Sequence, residues 1–237
     1  MIVVFCSPED IDSLWLASEI NRTGGNAKVV LPEELISGSD LRLDIMNGRA
    51  TPFARLASGL ELNVSDVRAL IVRMTEFPSP DLGKASDQDV IYANEEMRAA
   101  LVGWFAAWPC PVVGRPAPYC AFGEGSSDLR WRMWAARSGV PALDTQIGTD
   151  LTASEPTDQL ELLVVGGVPF GRVEDTGVTT LTPACRVLAS LQDAPMFGAR
   201  FARQHGAYVF AGMIPFPAYR DYTQEFVTEF ISQTGVL

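Results

Sequence analysis

The sequence predicts an α/β fold built as two joined lobes, and three observations carry that prediction. The chain opens as strand, helix, strand: MIVVFC is a short apolar run, SPEDIDSLWLASEINR follows as a helix, and AKVVL is a second strand. A buried strand, VRALIVRM, then precedes one long helix in the middle of the chain. Beyond it, LELLVVGGVPFGRV and MFGARF…YVFAGM read as paired strands. With 237 residues, 47% apolar and 20% charged, the chain is long and apolar enough to bury a sizeable core.

Taken in order, the first helix is expected to start at a Ser7 cap, with Pro8 and acids in its first turn, and to end at TGG. The turn before it lacks GxGxxG, so the dinucleotide fingerprint is absent. ELISGSDLRLDIMNGRATPFARLASGLELNV alternates short strands and turns, and VRALIVRM ends in Arg73. From Ser86 to Trp108 the positions Val90, Ile91, Met97, Leu101 and Phe105 predict an amphipathic helix, stopped by Pro109. CPVVGRP is a brief strand. Ser127 is a candidate cap and Asp128 suits the positive end of the next helix, which runs to Gly139. PALDTQI reads as a strand and TDLTASEPTDQ as a polar linker. Gly166 and Gly167 supply the positive φ of a tight hairpin turn. A helix around PACRVLASL, a strand at MFGARF, a turn at RQHG and a strand at YVFAGM follow. The last helix is expected to carry Tyr222, Phe226 and Phe230 as one core-facing stripe.

Composition excludes several function classes. No apolar run approaches the roughly 20 residues of a membrane span, and no basic region precedes MIVVFC, so the expectation is a cytoplasmic protein with no membrane association. A net charge of −11, with Lys28 and Lys84 as the only lysines, disfavours nucleic acid, because binding to polyphosphate depends on cations displacing counterions. Cys6, Cys110, Cys120 and Cys185 have no CxxC pairing and His205 is the single histidine, so neither a metal site nor a disulfide framework is expected.

The order of these pieces resembles the ATP-grasp superfamily, and within it the graspetide-type ligases that make ω-ester and ω-amide crosslinks in ribosomal peptides. The resemblance rests on IVR with Arg73, NEEMRAALVGWFAAW with Glu95 and Glu96, PVVGRP with Arg115, DLRWRMWAARSGVPALDT, LELLVVGGVPFG, and CRVLASLQDAPMFGARF followed by AYVFAGMIPFPAY. It implies a pre-ATP-grasp, Rossmann-like domain over residues 1–117 and a reduced ATP-grasp domain over 118–237. Carried over position by position, it places Asp128 where those ligases have an ATP-binding Lys. Arg200 stands at the acidic position of their GxDF strand, and Gly212 and Ile214 replace the acid and Asn that hold magnesium. Gly, Ile and Arg side chains offer no oxygen to a hard cation. The resemblance also implies a lid subdomain between the PxT strand and the VVGG hairpin. Here only Gln146 to Gln159 separate those elements, too few residues to build it.

The expected function is therefore a catalytically inactive ATP-grasp-like protein, with no cofactor and no metal, acting as a binding partner or scaffold for a peptide or a companion enzyme. The scaffold role implies an interface, with a homodimer among the candidate assemblies. Arg73, Glu95, Arg115, Arg130, Arg132, Arg200 and Arg203 are the candidate binding residues, because a guanidinium fork grips carboxylate or phosphate through two bonds. Against that stands the plainer role of surface charge or internal ion pair. An alternative is an enzyme using these Arg and Glu residues for a reaction without ATP, and a further one is a ligase with relocated ligands. Trp104, Trp108, Trp131 and Trp134 read as packing residues, and His205 as an exposed turn. Glu124 could pair with Asp128, and Ser126 and Ser127 lack a base partner.

Overall fold

The computed structural model describes residues 1–118, 120–121, 128–144, 158–192 and 194–235. The chain divides into two compact units, Met1–Glu124 with Thr234–Leu237, and Gly125–Gln233.

Unit 1 is built on a parallel sheet of order β2-β1-β6-β7, with β1 Ile2–Cys6, β2 Ala27–Val30, β6 Ala69–Arg73 and β7 Val112–Val113. Strands β1 and β6 are buried at every position, as expected of parallel strands covered on both faces. Helix α1, Ile11–Arg22, turns Leu16, Ala17 and Ile20 inward. Its cap is Asp10 rather than the expected Ser7. The 7–10 segment forms a turn, closed by the Asp10 N–H donating to the Ser7 carbonyl at 3.1 Å, which moves the first free helical N–H groups three residues along.

A second sheet in unit 1 is an antiparallel meander of β3 Asp40–Met46, β4 Arg49–Arg55 and β5 Glu61–Leu62. Helix α2, Asp87–Ala106, is capped by Ser86, and Pro109 follows its end. Its inward stripe is Leu101, Trp104 and Phe105, with Val90 and Met97 half-buried. Ile91, expected on that stripe, is 64% exposed. It is one residue, about 100° of helix turn, away from the line through Val90, Met97 and Leu101. Phe5, Trp104, Phe105 and Trp108 interlock edge to face, and the Trp104 indole N–H donates to the Phe53 carbonyl at 3.1 Å.

Unit 2 is an antiparallel sheet of order β11-β10-β8-β9, with β8 Gln159–Val165, β9 Val168–Phe170, β10 Met196–Gln204 and β11 Ala207–Ile214. Gly166 (φ 55°) and Gly167 (φ 84°) make the two-residue turn between β8 and β9. Helix α3, Asp128–Arg137, ends as expected at Gly139 (φ 81°), with the Val140 N–H reaching back to Ala135 and that of Gly139 to Ala136. Of the expected PALDTQI strand only residues 141–144 are described, and among them Ala142 makes one parallel bridge to Phe210. Pro141, lacking an N–H, cannot extend the ladder, and positions beyond Asp144 lie outside the described residues. Of the expected linker, 149–159, only Asp158 and Gln159 are described, and Gln159 already belongs to β8; its other residues, the Ser127 cap, Glu124 and Ser126 lie outside the described residues. Helix α4, Thr182–Leu191, buries Cys185 and Leu188. Helix α5, Glu225–Thr234, carries Phe226 and Phe230 into the core; Tyr222 is buried as well, but precedes the helix instead of belonging to it. His205 is an exposed turn residue with φ 50°.

All four cysteines are free thiols. Burial pushes the thiol of Cys6 up to about 11 and that of Cys185 up to about 12, and raises Cys110 as well. Only the thiolate attacks. A thiol-specific reagent at pH 8 is therefore expected to label Cys110 and Cys120, both half-buried, well before Cys6 and Cys185, read by mass spectrometry of the peptides.

Candidate functional site

The most organised cluster of charge in unit 2 forms where α3 crosses β11. Asp128 and Arg132 are four residues apart and so share a face of α3. Opposite them, the register between β10 and β11 slips after the pair Arg200 and Gly212, so that Phe201 faces Phe210 and Ala211 is the extra residue. A bulge frees backbone groups from the ladder, and α3 takes them up. The Arg132 Nε donates to the Ala211 carbonyl, and the Met213 N–H donates to Asp128 Oδ1 at 3.3 Å.

Between those two bonds lies Gly212. A Cβ at that position would overlap the Asp128 carboxylate, so the acid occupies the space in which a side chain of residue 212 would begin. From there Asp128 reaches Arg200 at 4.0 Å. Arg200 stands directly opposite Gly212 on one side and Glu161 on the other, and its Nε lies 3.8 Å from Glu161 Oε1. Glu161 in turn accepts a hydrogen bond from Arg172 at 3.1 Å, and Arg172 lies 3.7 Å from Asp221. Tyr222 is buried beside this chain of charges, and burial, with the Glu161 carboxylate adding to it, pushes its phenol up. Ile214 faces Gly198 across the ladder, and a Cβ on Gly198 would meet the Ile214 Cβ at 2.7 Å, so this side chain is packed down on the neighbouring strand.

Of the residues expected from sequence, the structure thus gathers Asp128, Arg132, Arg200 and Gly212, with Ile214 two residues further along β11. The others are separate. Arg73 is buried and donates from Nε to Asp10 at 2.8 Å. Glu95 pairs with Arg98 at 3.4 Å on α2, and Arg115 donates to the Ala106 carbonyl at 3.1 Å. Arg130 lies 4.3 Å over the Trp134 ring, and Arg203 pairs with Asp158 at 3.6 Å with both side chains exposed. Glu161, Arg172, Asp221 and Tyr222 were not anticipated. Glu161 had a signal: it is the lone acid in the apolar strand LELLVV.

Chemically, the cluster is self-neutralising. Each carboxylate has an arginine, and the ion pairs are partly exposed, worth at most about 1 kcal/mol apiece. At positions 200, 212 and 214 a guanidinium, a missing side chain and a branched alkyl group offer magnesium no oxygen ligand, and Asp128 already accepts a backbone N–H. Among the described residues no three acidic, His or Cys side chains converge on a point where a metal could sit. None of the described helices is long and apolar enough to cross a membrane.

No family model matches the sequence, and no curated relative does. Solved structures match the fold over nearly the whole chain. The macrocyclase MdnC of Microcystis aeruginosa, bound with its precursor peptide MdnA, is 11% identical with a TM-score of 0.66, covering 98% of this chain and 99% of its own. The ATP-grasp ligase PsnB, in complex with a phosphomimetic variant of its minimal precursor, Mg and ADP, is 12% identical with a TM-score of 0.69, covering 98% of both chains. A RiPP-associated ATP-grasp ligase of Chryseobacterium gregarium, in complex with ADP and a leader and core peptide, is 10% identical with a TM-score of 0.64, covering 99% of this chain and 96% of its own. The chain therefore carries the fold of the ATP-grasp ligases that modify ribosomally made peptides.

Proposed function

We propose that this chain is an ATP-grasp-like protein without ligase activity, which binds a peptide or a companion enzyme in a cytoplasmic peptide-modification pathway. One observation carries the reading. The position that the resemblance assigns to a magnesium-binding acid is Gly212, and Asp128, which stands at the position of an ATP-binding Lys, fills its space and pairs with Arg200. An anion has replaced a phosphate-attracting cation, a cation has replaced a metal-binding acid, and the two now face each other. Exchanges that neutralise one another in this way favour a retained shape over a retained nucleotide site. The short interval from Gln146 to Gln159, where the resemblance implies a lid subdomain, supports the same reading. A peptide partner is favoured because the structural neighbours are complexes with precursor peptides.

A ligand that binds only the native state must raise its apparent stability, by about 2.7 kcal/mol at a hundred times its dissociation constant. Millimolar ATP with Mg²⁺ is expected to leave the melting temperature of the intact chain unchanged. A clear upward shift would sink the proposal.

A second reading has one observation in its favour. Among the described residues the Nε atoms of Arg200 and Arg172 are buried and make no hydrogen bond. Guanidinium donors left open beside Glu161 suit an anionic ligand, so an enzyme using this Arg and Glu cluster without ATP is the competing reading. It predicts an activity that Arg200→Ala abolishes in a folded protein.

A further inference from the structure

We infer that unit 1 holds a binding site for a primary ammonium group on a short apolar stem, in the crevice at the carboxyl ends of β1, β2 and β6. The inference stands on unit 1 alone and is independent of the reading of unit 2. In the sheet order β2-β1-β6-β7, the chain leaves β1 to one side for β2 and returns on the other side as β6. Open parallel sheets bind ligands at such a reversal, outside the carboxyl ends of the strands. A cavity of about 330 Å³ lies there, lined by segments that follow these strands: Ser7 after β1, Glu33 after β2, and Thr75, Glu76, Phe77 and Ser79 after β6. Its size is at the lower end of small-molecule sites.

The charge of the crevice selects the ligand. In folds of this type the amino end of the first helix attracts an anion through its free N–H groups. Here the protein's own Asp10 carboxylate takes that place, accepting the Ser13 N–H at 3.1 Å and the Ser13 hydroxyl at 2.8 Å. Arg73 pairs with the same carboxylate, so neither the helix end nor the arginine offers an uncompensated positive charge. The ionised side chains that line the cavity are Glu33 and Glu76. Both are exposed, and neither has a hydrogen bond or ion pair through its carboxylate among the described residues. Hydroxyls of Ser7, Thr75 and Ser79 add acceptors, while Phe77 and the prolines supply an apolar wall. An ammonium group has three donors and no acceptor, which matches carboxylates and hydroxyls and excludes phosphate and carboxylate ligands.

The probes are cadaverine, Nα-acetyl-lysine methylamide and the neutral Nα-acetyl-norleucine methylamide, titrated calorimetrically into the intact chain at low salt. Both amines are expected to bind with millimolar affinity and the norleucine compound not at all. Glu33→Gln and Glu76→Gln are each expected to weaken amine binding by about fivefold, the worth of one exposed ion pair. Tighter binding of the lysine compound than of cadaverine assigns the ammonium to a peptide side chain; the reverse order assigns it to a free diamine. Equal binding of the norleucine compound, indifference to both substitutions, or no amine binding at tens of millimolar would overturn the site. Both glutamates are on the surface, so circular dichroism of the variants is expected to match that of the parent chain.

Discussion

Arg73→Met is expected to lower the unfolding free energy of the chain by about 3 kcal/mol at neutral pH, because removing one partner of a buried ion pair strands the other. The guanidinium is 8% exposed and its partner Asp10 16%. Burial alone would raise the Asp10 carboxyl, but the bonds from Arg73 and Ser13 outweigh it and hold the group below its ordinary 3.8. A carboxyl depressed in the folded state contributes stability above its unfolded value, and that contribution is lost as the pH falls through the folded value. The gap between Arg73→Met and the parent chain is therefore expected to be full at pH 7 and to narrow below pH 3.8. Chemical denaturation at pH 7 and at pH 3 measures it; a gap of equal size at both would show that the pair is not its source.

Gly212→Ala is the second large effect. The added methyl group would drive the Asp128 carboxylate out of the space it occupies, and with it the acceptor for the Met213 N–H and the partner of Arg200. A hydrogen bond to a charged group is worth about 1.5–3 kcal/mol, part of which solvent recovers here because Asp128 is half-exposed, so a loss of about 1–2 kcal/mol is expected. The backbone at Gly212 (φ 159°) also strains any side chain, so the loss in denaturant melts is expected to be at least that large, and stabilisation would refute the packing of Asp128 over residue 212.

Much of the fold was legible because its signals are local. The unbroken apolar runs of β1 and β6, the Gly166–Gly167 turn and the Gly139 cap each depend on a few adjacent residues. The errors arise where a distant residue decides. Ser7 and Asp10 can both cap a helix, and the choice falls to Asp10 with Arg73, 63 residues away, holding its carboxylate. At the site, Asp128, Arg200 and Gly212 could each be singled out by residue type. That the first touches the other two depends on α3 lying across a bulge 85 residues downstream. Glu161 joins them only through the register of β8 against β10, which neither composition nor spacing reveals.

The central claim is that the Asp128 carboxylate fills the space beside Gly212 while it pairs with Arg200, and a double-mutant cycle between residues 128 and 212 tests it most directly. Gly212→Ala is predicted to cost about 1–2 kcal/mol more in the parent chain than in an Asp128→Ala background, where the carboxylate is gone and the backbone strain of an alanine at φ 159° is what remains. A coupling energy of at least about 1 kcal/mol is the predicted result. Strict additivity, with Gly212→Ala costing the same in both backgrounds, would contradict the account.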